Sequence, residues 1–488
     1  CSKSSRERNV SDAQSRQVEF FKRAKSGFLH MSARSIVTFG LQTASVLVLA
    51  RFLEPESYGL FGILYGWVAA LSFLTDVGVG GSLVHQIDAP TARELRAFFG
   101  LRLVLGMATA LALWLLAPAI LNYYGVPEHD EYRWMALLLP ISVLSTAPRT
   151  TLARKFSFRE IARIDLYASV AAYGAQISAA IAGAGAWSLV IGVAARGLAD
   201  ALLSNYYSIR QERFVIWPGL EFASLKRHFN YGVLYQLNAV VTASRTIVIP
   251  LVAKQFLVLD QLGLIFWIAG LVSIPFIFAS TFNGSFFPVL SRLRDQPAEA
   301  RAAASGALPK VILGFGFIYG LGAAAGPHLI PLLFSAKWHA ASSLIHLEAL
   351  AAGLATVRFL GNTILTAMGR PGLRAALELK TIVFTAAAMY LFGSRYGMHG
   401  YYYGFILAEA AALALTAWSC RAWLDLRVFK RFTASIAAAA CGFGATSAAT
   451  ASLPFAMLVF AAVFTAVALV IDPRIIGEFR LNARRVSS

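Results

Sequence analysis

Fourteen stretches of about 20 apolar residues recur along the chain, and one helix of that length matches the hydrocarbon thickness of a bilayer. The first seven lie near 27–50, 57–80, 98–120, 133–153, 161–182, 186–207 and 229–253. The others lie near 259–287, 306–327, 341–368, 371–393, 398–420, 430–450 and 453–471. The pattern predicts an all-α polytopic membrane protein with about 14 transmembrane helices. Composition agrees: 58% of the 488 residues are hydrophobic and 14% are charged, against about 25% charged in a soluble domain.

The net charge of +18 would suggest phosphate neutralisation on a nucleic acid in a soluble protein. Here the bases lie between the apolar runs rather than in one patch, so no nucleic-acid partner is expected. They describe topology and an attraction to anionic lipid headgroups. With the N-terminus placed inside, Lys and Arg crowd the inner loops, and the outer loops keep only Arg51, Arg133, Lys254, Lys337 and Arg395. The positive-inside rule then puts both termini in the cytoplasm. The longest outer loop, Asn122 to Tyr132, leaves little room for a periplasmic catalytic domain. Residues 1–26 are basic and polar with no apolar h-region, so no cleaved signal peptide is visible. Cys1 as the first residue points to a start further upstream, and the composition of Arg16 to Lys25 permits an amphipathic surface helix.

The chain also repeats itself. Phe52-Leu53 and Gly59-Leu60 recur as Phe256-Leu257 and Gly263-Leu264 at an offset of 204, and Ala153-Arg154 has a weaker echo in Gly369-Arg370. Two six-helix lobes follow, 27–208 and 229–420, joined by a cytoplasmic linker at 209–228. Residues 1–26 form a basic leading segment, 421–471 add two further helices, and 472–488 form a basic tail. Both lobes begin inside, so the repeat is parallel, an arrangement that places substrate at the lobe interface and alternates access by rocking.

Enzymatic signatures are missing. No lysine follows a glycine, so there is no Walker A loop, and H-E-x-x-H, G-x-S-x-G and a complete G-x-G-x-x-G are absent. Gly78-Val79-Gly80-Gly81 reads as a close-packing or hinge element at a span end. Cys1, Cys420 and Cys441 have no metal-ligand spacing, so no metal, cofactor or disulfide framework is expected, and the chain reads as a non-enzyme.

Ionisable residues inside spans are what remain, and each is costly enough to ask for a role. The cations are Arg34, Arg196, Arg245 and Arg358, in spans 1, 6, 7 and 10. Arg34 is within snorkelling reach of the headgroups. Arg196 has Asp200 at i+4, which suggests a pair along the helix. Arg245 and Arg358 have no acid at i±3 or i±4 and lie too deep to snorkel, so they are expected to face a hydrophilic cavity. Asp76 and Asp165 near inner ends suit solvated or paired roles, and Glu409 in mid-span is a candidate to carry a coupling ion. A guanidinium fork matches phosphate oxygens and stays charged at any working pH. Arginines lining a cavity therefore suggest an anionic passenger such as a lipid diphosphate.

Several motifs in order resemble the polysaccharide transporter family of the MOP flippase superfamily, and within it exporters of the colanic-acid and succinoglycan kind. They are Ala50-Arg51-Phe52-Leu53 with Tyr58-Gly59-Leu60-Phe61, Asp76-Val77-Gly78 with Ser82-Leu83-Val84, and Leu152 to Phe158 leading to Ile161 and Asp165. Gly185 to Val190, Pro331 to Phe334 with Lys337-Trp338, and Arg358 with Gly361-Asn362 complete the set. The resemblance implies a V-shaped bundle of two lobes. It also implies a cargo of undecaprenyl diphosphate bearing a short glycan, for exopolysaccharide, capsule or lipopolysaccharide O-antigen, with polymerase or export machinery as partners. The rival readings are a drug or cation antiporter of the same fold and a membrane-embedded polysaccharide polymerase or ligase.

Overall fold

The computed structural model describes residues 37–76, 78–80, 83, 90–126, 130–155, 157–212, 216–221, 225–424, 438, 442 and 453–471. Among them every long element is a helix and no strand occurs, as expected where hydrocarbon cannot hydrogen-bond a backbone. The helices are α1 (Val37–Phe52), α2 (Pro55–Leu74), α3 (Ala92–Tyr124), α4 (Leu138–Val143), α5 (Thr146–Arg154), α6 (Phe158–Ile181) and α7 (Trp187–Glu212). They continue as α8 (Lys226–Ala253), α9 (Leu259–Val272), α10 (Phe276–Arg292), α11 (Pro297–Leu333), α12 (Ile345–Ala367), α13 (Pro371–Ser419) and α14 (Leu453–Ile471).

Eight of the described helical segments are long and apolar enough to cross a membrane, and α9 with α10, bent by 52° at the break between them, meets the same length and polarity as a pair. α1 and the apolar part of α8 are shorter. Each run predicted between 27 and 420 finds a helix, with α4 and α5 sharing the fourth span. The run at 430–450, except for positions 438 and 442, lies outside the described residues, as do 1–26 and 472–488.

α13 is two spans in one label. Gly397 breaks the helix with φ 57° and ψ −131°, and the arms fold back on each other. A Cβ on Gly400 would lie 2.0 Å from the Phe392 carbonyl oxygen, and one on Gly404 would lie 2.5 Å from the Met389 nitrogen. Small residues one turn apart let helix backbones touch, the usual device of membrane packing. Gly400→Val is expected to splay this hairpin at an overpacking cost of about 1–3 kcal/mol. A thermal unfolding curve in detergent checks it, and an unchanged midpoint would mean that the arms have room to spare.

The first lobe packs α3 to α7 around one another, with α1 laid on α6 and α7 through Leu49, Leu53, Ala180 and Leu189. The second gathers α8 to α13, and α14 leans on α11 through Phe317, Phe460 and Phe464. The linker is docked on the first lobe: Gly219 N–H donates to the Arg96 carbonyl at 2.8 Å, and Ile216 and Leu225 bury beside Phe98.

Between the lobes, α2 lies against α8 and α9. The repeat is legible in this seam. A Cβ on Gly59 would strike the Leu259 carbonyl at 2.5 Å, and one on Gly263 would strike the Pro55 carbonyl at 1.8 Å. An offset of 204 maps one contact onto the other, and Gly62 faces Phe266, its own equivalent. The two halves therefore meet about a pseudo-two-fold axis that passes between α2 and α9.

At the end of the bundle that carries the α1–α2 turn, the seam is latched. Trp338 is fully buried, donates its indole N–H to the Ala50 carbonyl at 2.7 Å and stacks on Trp267 at 4.5 Å. Tyr58 meets it edge-on at 5.5 Å, and Lys337 pairs with Glu54 at 3.0 Å. Tyr123 adds a bond to the Leu251 carbonyl at 3.1 Å.

Candidate functional site

The densest buried charge lies inside the second lobe, where α8, α12 and both arms of α13 meet. Arg358 of α12 donates from Nη1 to Glu378 Oε2 at 2.5 Å and from Nε to Glu409 Oε2 at 2.8 Å. Arg245 of α8 pairs with Glu409 Oε1 and lies 3.6 Å from Glu378 Oε1. Each carboxylate thus bridges both guanidiniums, and the four charges cancel. Unpaired, any one of them would be expensive at this depth.

The sequence places these groups simply. Glu378 and Glu409 are far apart in the chain, but the reversal at Gly397 turns both arms of α13 toward α12. Phe405, one turn from Glu409, puts its ring 5.1 Å from the Arg245 guanidinium, a cation–π contact. The Glu409 side chain is 0% exposed, whereas Arg245 keeps 17% of its side chain accessible. Arg245 is the open edge of the cluster and Arg358, at 10%, is nearer its centre.

Arg245 and Arg358, expected in a cavity because no acid stands near them in sequence, are held here in ion pairs between helices. Their partners come from elsewhere in the lobe, so i±4 spacing could not show them. Glu378 escaped the sequence reading altogether, although it stands inside the apolar run 371–393 and the rule that found Glu409 applies to it equally.

The first lobe carries a second network. Arg149 of α5 reaches Asp165 of α6 at 2.6 Å and Asp200 of α7 at 2.7 Å. The expected pairing of Arg196 with Asp200 is therefore corrected: Asp200 takes the guanidinium from another helix. Arg196 instead donates to Ser169 Oγ of α6 at 3.1 Å and is exposed, within electrostatic reach of Tyr65 of α2 and Tyr173 of α6. Asp76 is paired with Arg102 of α3 at 3.2 Å. Beyond the Thr75 cap of α2, Gly78 lies in the left-handed region, with φ 74°, and Gly80 N–H donates to Asp76 Oδ1 at 3.2 Å. Arg154 donates to the Leu83 carbonyl at 3.1 Å. Cys420 is a buried free thiol. Arg34, Cys1, Cys441 and the Arg16 to Lys25 segment lie outside the described residues.

Two lobes related by a pseudo-two-fold axis, a latched seam at one end and buried charge within each lobe describe an all-helical, multi-pass membrane protein. A profile of the family described as polysaccharide biosynthesis protein matches residues 48–343. The chain belongs to this family. It is 26% identical over 326 residues to the succinoglycan biosynthesis transport protein ExoT of Rhizobium meliloti (strain 1021). That similarity covers 65% of this chain and 64% of ExoT, so the chain spans just under two thirds of that relative. It is 23% identical over 395 residues to the lipopolysaccharide biosynthesis protein WzxC of Escherichia coli (strain K12), covering 79% of this chain and 78% of WzxC.

Among solved structures, the lipid II flippase MurJ in an inward closed conformation superposes with a TM-score of 0.71 at 12% identity, over 91% of this chain and 99% of MurJ. A multidrug resistance MATE family transporter of the MOP superfamily, inward-facing, gives 0.62 at 14% identity, over 82% and 99%. At these identities the likeness concerns the fold alone, which this chain shares with both.

Proposed function

We propose that this protein moves an oligosaccharide carried on a polyprenyl diphosphate from the cytoplasmic to the periplasmic leaflet of the bacterial inner membrane, by alternating access between its lobes. Membership of the polysaccharide biosynthesis family on a two-lobed transporter fold is the observation that carries this reading. The latched end is the periplasmic one, because the positive-inside rule puts the opposite, base-rich loops in the cytoplasm. Taking an ionised headgroup through hydrocarbon unaided costs tens of kcal/mol in the idealised limit. The protein offers guanidiniums along the way instead: Arg196, exposed in the first lobe, and Arg245, at the open edge of the cluster. Either can form two-point hydrogen bonds with a phosphate. Arg358 pairs with both Glu378 and Glu409, so when Arg245 turns to the diphosphate one guanidinium still bridges the two carboxylates, and only one negative charge is left unmatched.

The buried carboxylates Glu378 and Glu409 give the antiporter reading an observation of its own, because acids inside a lobe are what a cation antiporter needs. Deleting the gene separates the readings. A flippase predicts accumulation of a completed, diphosphate-linked repeat unit on the cytoplasmic leaflet. An unpolymerised unit on the outer leaflet points to a polymerase or ligase, and no accumulation points to an antiporter. Complementation with Arg245→Ala is expected to restore protein in the membrane but less than about a tenth of the flipping, the loss of one charged hydrogen-bonding partner worth about 1.5–3 kcal/mol. Full flipping by that variant would remove Arg245 from the route.

A further inference from the structure

Glu348 stands in the first turn of α12, 8% exposed, and among the described residues no cation forms an ion pair with it. Its surroundings are phenolic: Tyr319 of α11 and Tyr401 and Tyr402 of α13. Tyr402 is fully buried, and its hydroxyl faces the Glu348 carboxyl without completing a hydrogen bond of ordinary geometry. The charged groups within electrostatic reach are Arg245 of α8 and Glu409 of α13.

Lys337, His339 and Asp260 on the neighbouring elements are engaged or directed elsewhere. Lys337 is bonded to Glu54, His339 lies 3.2 Å from the Phe334 carbonyl, and Asp260 of α9 is exposed. His346, on the same helix, is half-buried within reach of His399 of α13. A carboxylate in such a place has no cation of its own, and a buried charge without one is costly. Glu409 is the opposite case, since two guanidiniums already match its charge.

We propose that Glu348, rather than Glu409, is the proton-binding group that couples to the movement of the lobes, an inference that rests on the alternating-access reading above. With the proton on, Glu348 is neutral and Arg245 stays with Glu378 and Glu409. With the proton off, the bare carboxylate competes for Arg245, the more exposed arginine of the cluster. Drawing Arg245 toward Glu348 displaces α8 against α12 and α13. Because α8 also packs on α2 in the seam, the change reaches the contact between lobes. One proton is taken from water and returned to water in each cycle, and no covalent bond changes.

The test uses the full chain in vesicles of phosphatidylethanolamine and phosphatidylglycerol, with pH as the only variable and no cargo present. Infrared difference spectra between acid and alkaline buffer are expected to show loss of a protonated carboxylic-acid C=O stretch in the wild type and, at a lower pH because Arg245 is partly released from its pairs, in Glu409→Gln. Glu348→Gln, neutral and nearly the same shape as the acid, is expected to lack that band, and Glu348→Asp to keep it at a shifted pH. Spin labels at the exposed positions Trp134 and Val258, one on each lobe, are expected to change spacing with pH in the wild type and to stop doing so in Glu348→Gln. A band that survives in Glu348→Gln, no band in the wild type, or a pH-dependent spacing that Glu348→Gln leaves intact would overturn the assignment. Since no cargo is involved, this result is separate from the lipid accumulation that tests the flippase reading.

Discussion

Arg358→Ala is expected to cost about 3–5 kcal/mol of stability, the penalty for removing one member of a buried ion-pair cluster and leaving the others uncompensated. Arg358 meets both Glu378 and Glu409, so its loss leaves Arg245 alone to face two carboxylates, one of them at 3.6 Å. Lysine should not replace it, because an ammonium is a point charge and cannot reproduce the two-sided fork. Arg358→Ala combined with Glu378→Gln restores the balance of charge, leaving Arg245 paired with Glu409, and is expected to recover more than half of the lost stability. Thermal unfolding of the purified variants gives both values, and the double-mutant cycle isolates the pair. A midpoint unchanged in Arg358→Ala would mean that the cluster is solvated rather than buried. The contrast with Arg245→Ala is informative, because this arginine at the more accessible edge of the cluster should lose transport with less damage to folding.

Trp338→Ala should open the latched end of the bundle. A fully buried tryptophan truncated to alanine costs about 3–5 kcal/mol, and this indole spans the lobes, bonded to the Ala50 carbonyl and stacked on Trp267. The loss therefore falls on the state in which that end is closed, and the lobes remain folded. A bias of 3 kcal/mol changes a two-state ratio by more than about a hundredfold. The reporter is Ala50→Cys, 1% exposed beside Trp338 at the seam, in a background with the native cysteines replaced. Its reaction with a membrane-impermeant maleimide is expected to be slow with Trp338 present and fast in Trp338→Ala. Trp338→Phe keeps most of the aromatic packing and loses only the N–H donor, so it should lie between them, about 1 kcal/mol from the parent. Equal labelling in all three proteins would show that the indole does not hold the end closed.

The two results bear on one mechanism. The latch and the glycine seam hold the lobes together at one end, while the buried cluster fixes α8 to α12 and α13 within the second lobe. α8 belongs to both sets of contacts, so a change of partner at Arg245 can reach the seam through one rigid helix. Packed interfaces of this kind tend to have two discrete arrangements rather than a continuum.

Much of the architecture was legible in the linear chain because the bilayer imposes a length and a polarity on every span. The apolar runs between 27 and 420 all became helices, and the offset of 204 between Gly59 and Gly263 turned out to relate the two sides of one contact. Membership of the family was legible too, in motifs such as Tyr58 to Phe61 and Lys337-Trp338, which the structure places at the seam. The ionisable residues inside the spans could be found by the same rule that found the spans, Glu378 included.

Which of those residues meet was decided only in three dimensions. Asp200 stands one helical turn from Arg196 and yet binds Arg149, and Glu409 binds two arginines from helices distant in sequence. Spacing along one helix says which side chains share a face. It does not say which neighbouring helix turns its own charge toward that face, and in a medium that cannot solvate ions that neighbour decides the pairing. The same reason leaves Glu348 apart: nothing in its sequence distinguishes it from Glu378 or Glu409, and only the packing of three tyrosines around it leaves it without a cation.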